Sequence, residues 1–254
     1  MNLMVTDFDL CIFVSKDLYC CIYVDDILIT GKSNLVNQCI GQLQYSLKCN
    51  SVETSLLLGM QIEKSTEHLK IHQQHYITEI LEWFGMENCN PVNTAIEVSS
   101  TLKKASDDEI LCDQKLYQSN IGSLMYAATA THPDIAYATH FLGKFSSKPT
   151  ETHLSAAKRV LCYLKGTITY GLTYKYDTCE MPLRIYSDTS LASNLTDRHS
   201  YTGLVIQTFR HTTIWRSKKH KTFSDSTTVA EYVTLAFASK QSIWVRRGLV
   251  LLNI

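Results

Sequence analysis

The stretch CCIYVDDILITG, residues 20–31, sets two adjacent carboxylates, Asp25 and Asp26, between two runs of β-branched and other apolar residues. Successive side chains of a strand point to opposite faces, so neighbouring aspartates approach one point only where the chain turns. The apolar runs therefore read as the strands of a hairpin reversing at the dipeptide. LCIFVS supplies a strand before them, with a first turn at Lys16 and Asp17. Aspartate is an ordinary turn residue, and taken alone the dipeptide reads as the tip of a surface hairpin.

After this hairpin, SNLVNQCIGQLQYSLK carries apolar residues at helical spacing behind Ser33 and Asn34. SLLLGMQIEKS and EHLKIHQ then suggest a second hairpin turning near Ser65–His68, which makes an α+β layer of a helix on a small sheet. The middle of the chain is helical. One stripe runs from Tyr76 to Phe84 and stops at Gly85, and a second runs from Leu116 to Ala128. A third, from Ile135 to Phe145, has Pro133 and Asp134 in its first turn, and a fourth follows Thr150 and ends at Gly166. These are packing stripes, and SSTLKKASDDE, residues 99–109, reads as a loop. From about residue 169 four β-rich pieces return, ahead of one long helix capped by Ser226 or Thr227, a mixed α/β module.

An apolar content of 45% over 254 residues can bury a substantial core, which sets the chain apart from disordered tails. Nine cysteines form no CxxC pair or zinc-type cluster and read as reduced thiols of an intracellular protein. The start, MNLMVTDFDLC, has early acids in place of a signal-like basic region, and no eighteen-residue apolar run suggests a membrane span. Net charge is zero, but residues 181–254 hold 10 Lys/Arg against 4 Asp/Glu, leaving 14 against 20 for the rest. A C-terminal third at about +6 hints at a module facing a polyanion; the alternative for RSKKHK, residues 216–221, is a solvated basic face.

A longer string of motifs sharpens the picture: DLCIFV, YVDDILITG, LLLGMQI, YITEILEWFGMENCNPVNT, YQSNIGSLMYAATATHPDIAYA, HLSAAKRVLCYLKGT, YGLTY, YSDTS, TDRHSYTG, WRSKK, TTVAEY and IWVRR. In order and spacing, along nearly its whole length, the chain resembles the Pol protein of copia-type LTR retrotransposons. The resemblance implies a partial reverse-transcriptase palm over 1–72, a helical thumb or connection over 73–168, and a partial ribonuclease H-like domain over 169–254. It implies Tyr23 at the primer terminus, Val24 beneath the nascent base pair, and Asp25 and Asp26 at two Mg²⁺ ions, whose preference is for carboxylate oxygens. Leu58, Gly59, Met60 and Ile62 would belong to the hairpin that steadies the primer. Lys158, Arg159 and Lys165 are either phosphate contacts or ordinary exposed helix charges.

The same resemblance marks Asp188 in RIYSDTS, and Glu231 on the long helix, as the first two acids of a ribonuclease H site that activates water with two metals. Asp197 and Asp225 fall at no such position and read as turn residues. Arg216, Lys218 and Lys219 would lie on the side facing an RNA/DNA hybrid or DNA duplex. No segment here resembles the third palm carboxylate strand, the fingers, or the last two ribonuclease H acids. Leu191, Ser193, Asn194, His132, Val229 and Asp225 also depart from the usual pattern. The expectation is a Pol fragment without independent catalysis, and the missing remainder of Pol would be its partner. The alternatives are a misdelimited gene for a full reverse transcriptase, and a non-catalytic nucleic-acid-binding derivative.

Overall fold

Apolar alternation with short turns builds the first sheet; the computed structural model describes residues 3–97, 102–106, 108–176, 182–190 and 199–252 of the chain. The sequence readings at Leu191, Ser193, Asn194 and Asp197 lie outside the described residues. The architecture is α+β, and the chain divides into two units, Met1–Leu57 with Ser239–Ile254, and Leu58–Ala238.

In the first unit four antiparallel strands follow one another in sheet order: β1 Met4–Val5, β2 Ile12–Ser15, β3 Leu18–Tyr23 and β4 Asp26–Gly31. The β2–β3 turn falls where the sequence puts it, with Asp17 at φ 64°. Gly31, at φ 149°, lies so close to the Asp17 carbonyl that a Cβ would collide with it, so glycine is required there. Helix α1, Ser33–Ser46, buries Cys39, which with Leu18 and Cys20 makes a small core. Leu56–Leu57 forms the short β5. Within this unit the Tyr19 hydroxyl donates to the Leu252 carbonyl at 2.7 Å.

The second unit holds the main core. Strands β6, Met60–Lys64, and β7, His68–His72, form the expected hairpin, closed by the Ser65 amide donating to the His68 carbonyl. Helices α2 Gln74–Trp83, α3 Gln114–Ala130, α4 Ala136–Gly143 and α5 Glu151–Gly166 pack their apolar stripes together. Ile77, Ile80, Tyr117, Leu124, Leu142, Leu161 and Leu164 are fully enclosed, each such side chain stabilising by about 1.5–3 kcal/mol relative to exposure. The third stripe differs from a single helix: Pro133–Ile135 is a 3₁₀ turn ahead of α4.

Strand β8, Gly171–Lys175, pairs antiparallel with β7 across about a hundred residues of sequence. Gly171 permits this approach, since a Cβ there would meet the Ile71 carbonyl at 2.6 Å. Strands β9 Leu183–Ser190, β10 Tyr201–Thr208 and β11 His211–Lys219 form a separate antiparallel sheet with β10 central. Helix α6, Thr227–Leu251, follows a Ser226 hydroxyl that accepts from the Val229 amide, so Ser226 is the cap. Among the described residues no helix is long and apolar enough to cross a membrane.

Candidate carboxylate sites

Register decides where the first aspartate pair sits. Cys21 faces Leu28, Ile22 faces Ile27, and Tyr23 faces Asp26, which leaves Val24 and Asp25 as a two-residue loop. The turn is thus one residue earlier than the Asp25–Asp26 dipeptide, because matching the apolar pairs takes Asp26 into the strand. Val24 has φ 51° while Asp25 keeps a negative φ, the sign pattern of a II′ turn whose first central position favours glycine. A β-branched residue there is strained, and Val24 is also 83% exposed.

Both carboxylates and Tyr23 are exposed. Asp25 lines a small cavity of about 100 Å³ with Ile27, Ile29, Ile40 and Leu43, on the α1 side of the hairpin. Asp26 falls in strand alternation with Leu28 and Thr30. Neither aspartate has a side-chain hydrogen bond or ion pair among the described residues, whereas nearby Asp17 is held by Lys32 at 2.7 Å. That lysine holds the Asp17 carboxyl below its ordinary range by hydrogen bonding to it.

Gly59 stands at φ 74° after Leu58 at φ 50°, two consecutive left-handed residues of the I′ type. The Tyr126 hydroxyl donates to the Leu58 carbonyl at 2.6 Å and fills the space a Gly59 side chain would need. Lys158 is exposed on α5, but Arg159 is engaged internally, 2.9 Å from Glu97 and 3.1 Å from the Thr94 hydroxyl.

Around the second candidate site the pairing is Asp188 with Gly203 and Gly203 with Ser217. Paired residues share a face, so Asp188 lies with Tyr186, Tyr201, Val205, Trp215 and Lys219. That face borders a cleft of about 610 Å³ which also includes Tyr137. Tyr137 meets Tyr201 edge-on at 5.9 Å, and the Trp215 indole donates to the Ala128 carbonyl at 2.7 Å. The opposite face carries Thr202, Leu204, Arg216 and Lys218, and α6 packs on it through a 2.8 Å bond between the Thr202 and Thr234 hydroxyls. Lys218 also reaches the Phe237 ring at 5.1 Å.

Asp188 and Glu231 are both exposed, but they belong to opposite sides of this sheet. Among the described residues no three His, Cys, Asp or Glu side chains are placed to hold one metal ion. The aromatic wall beside Asp188 was not legible in the sequence, since Tyr137 comes from a helix and Tyr201 and Trp215 from two different strands.

Residues 6–98 match the family described as reverse transcriptase (RNA-dependent DNA polymerase). Over 231 residues the chain is 36% identical to the retrovirus-related Pol polyprotein from transposon RE1 of Arabidopsis thaliana, covering 90% of this chain. Identity to the corresponding polyprotein from transposon TNT 1-94 of Nicotiana tabacum is 33% over 237 residues, again 90% of this chain. The chain spans 16% and 18% of the length of those two relatives. A putative transposon Ty5-1 protein of Saccharomyces cerevisiae is 30% identical over 223 residues, 85% of this chain and 71% of that protein. No solved structure matches significantly. The chain belongs to the family of copia-type retrotransposon Pol proteins.

Proposed function

We propose that the chain is a segment of a retrotransposon RNA-directed DNA polymerase with ribonuclease H, and that by itself it catalyses neither reaction. In this reading residues 1–72 derive from the palm, 73–168 from the thumb or connection, and 169–254 from the ribonuclease H-like domain. The parent activities are two-metal nucleotidyl transfer and hydrolysis of RNA in hybrids. Tyr23, Val24 and Gly59 are primer-side residues; Lys158 faces phosphates, as do Arg216 with Lys218 on one face of β11 and Lys219 on the other; Arg159 does so only after leaving Glu97. The carrying observation is the pair Asp25 and Asp26, exposed and internally unpartnered beside a strained turn, in the segment matched to the reverse-transcriptase family.

Carboxylate oxygens are the hard donors that Mg²⁺ selects, so the donor type at Asp25, Asp26, Asp188 and Glu231 is right. Their number and convergence are not, because no third acid joins either pair among the described residues. The test is primer extension on an RNA template, and cleavage of an RNA/DNA hybrid, by the purified chain with Mg²⁺. No product above background is expected. Product formation abolished by Asp25→Asn or by Asp188→Asn would overturn the reading.

Retained nucleic-acid binding without catalysis is a second reading, favoured by Arg216 and Lys218, both exposed on one face of β11. It predicts hybrid binding that weakens steeply with salt and is reduced in the Arg216→Ala, Lys218→Ala double variant.

A further inference from the structure

The last turns of α6 carry a feature that neither carboxylate site uses. Trp244 is 48% exposed and Ile243 is 55% exposed, yet each stands within a helical turn of the adjacent cations Arg246 and Arg247. Phe8 packs against Trp244 with ring centroids 4.5 Å apart and planes tilted by 34°. Gly248, one turn beyond Trp244, makes room for that ring, because a Cβ there would stand 3.0 Å from the Phe8 edge. Phe8 therefore braces the indole, which stays about half exposed and lines a cleft. Arg246 and Arg247 are exposed and form no ion pair or side-chain hydrogen bond among the described residues. Together with Asp7, Val250 and Leu251 these groups line a cleft of about 630 Å³ within the first unit. That volume is in the range of clefts that hold nucleotide-sized ligands.

We propose that this cleft binds single-stranded nucleic acid, one base stacking on the exposed indole of Trp244 and the flanking phosphates meeting Arg246 and Arg247. The chemistry selects that ligand over an apolar partner. A purely hydrophobic contact gives no use to two adjacent unpaired guanidinium groups, whereas a polynucleotide supplies an aromatic face and anionic oxygens at once. Two arginines against the single carboxylate of Asp7 leave the lining positive. Asp7 lies at the same cleft and opposes the phosphates, so it sets a ceiling on affinity. The ligand class rests on the nucleic-acid reading above, but the residues lie in the unit that contains neither Asp188 nor Arg216.

The test is fluorescence anisotropy of a labelled fifteen-residue oligo-dT with the full chain, over a salt series. Trp244→Ala is expected to weaken binding about fivefold or more, and Trp244→Phe to retain most of it. The Arg246→Ala, Arg247→Ala double variant is expected to flatten the log–log salt dependence by about 1.4, the value for two phosphates of a single strand. Asp7→Asn should tighten binding about twofold, a gain that a merely structural role does not produce. Circular dichroism of each variant establishes that it folds. The proposal is overturned if the oligonucleotide does not bind at low salt, or if Trp244→Ala binds like the parent chain. It is equally overturned if sedimentation shows the patch buried between two copies and the oligonucleotide does not compete. Loss of hybrid binding in the Arg216→Ala, Lys218→Ala variant with oligo-dT binding independent of Trp244 would remove this site alone and leave the broader reading standing.

Discussion

Val24 is the residue where local preference and the pattern around it disagree most. It is β-branched, 83% exposed and held at φ 51°, so it gains little from burial to offset its backbone cost. Left-handed backbone costs a non-glycine residue on the order of 1–3 kcal/mol, and glycine removes most of that while losing about 0.5–1 kcal/mol through the freer unfolded chain. Val24→Gly is therefore expected to stabilise the chain by about 1 kcal/mol, read as a shift of the denaturant midpoint at unchanged slope. A lower midpoint would show that the turn is not strained. The sequence made the two aspartates legible as a turn, because charged residues interrupting apolar strands leave few other readings. It did not make legible which residue turns, since that depends on cross-strand pairs such as Ile22 with Ile27. Arg159 shows the same gap, because the family resemblance offered it as a phosphate contact or an ordinary helix charge, while its bonds to Glu97 and Thr94 arise between distant segments.

At the level of elements the helices were readable and their partners were not. Apolar spacing located α2, α3 and α5, whose interiors are decided by local periodicity. The pairing of β8 with β7 had no local signal, because it depends on Gly171 admitting the Ile71 backbone from far along the chain. The caps are local and testable. The Asp113 carboxylate accepts from the Lys115 amide at 2.8 Å and the Leu116 amide at 3.2 Å, satisfying two of the free donors at the start of α3. Asp113→Ala is expected to lower stability by about 1 kcal/mol, and Asp113→Ser to recover most of it. Equal stability of the alanine variant in chemical denaturation would show that water serves those amides as well. At α5 the cap uses a different group: the Thr150 amide donates to Nδ1 of His153 at 3.0 Å, and Nε2 of the same ring lies 2.8 Å from the Lys103 carbonyl. That geometry needs the neutral ring with its proton on Nε2, which ties this element to pH.

Across the whole molecule, three histidines share that dependence. His132, His153 and His220 are buried, and burial pushes each below its ordinary value; the charge of His199 adds to the effect at His220, while Asp134 partly counters it at His132. A ring with a depressed folded-state pKa stays neutral in the fold while the unfolded chain takes up a proton. Stability contributed this way is fully present above the unfolded value of about 6.5, and it falls as the pH drops below that. The slope reaches up to about 1.4 kcal/mol per pH unit for each histidine. Denaturant unfolding should therefore show stability declining from pH 7 to pH 5.5, against the usual plateau of a chain whose histidines are exposed. His153→Gln keeps an acceptor for the Thr150 amide and removes one titrating ring, so it should flatten the decline while changing stability little at pH 7.5. Stability that is level or rising as the pH falls to 5.5 would mean that these rings protonate as readily in the fold as in the unfolded chain. None of this was visible in the sequence, where nine histidines are scattered without pattern and only packing separates the buried ones from the rest.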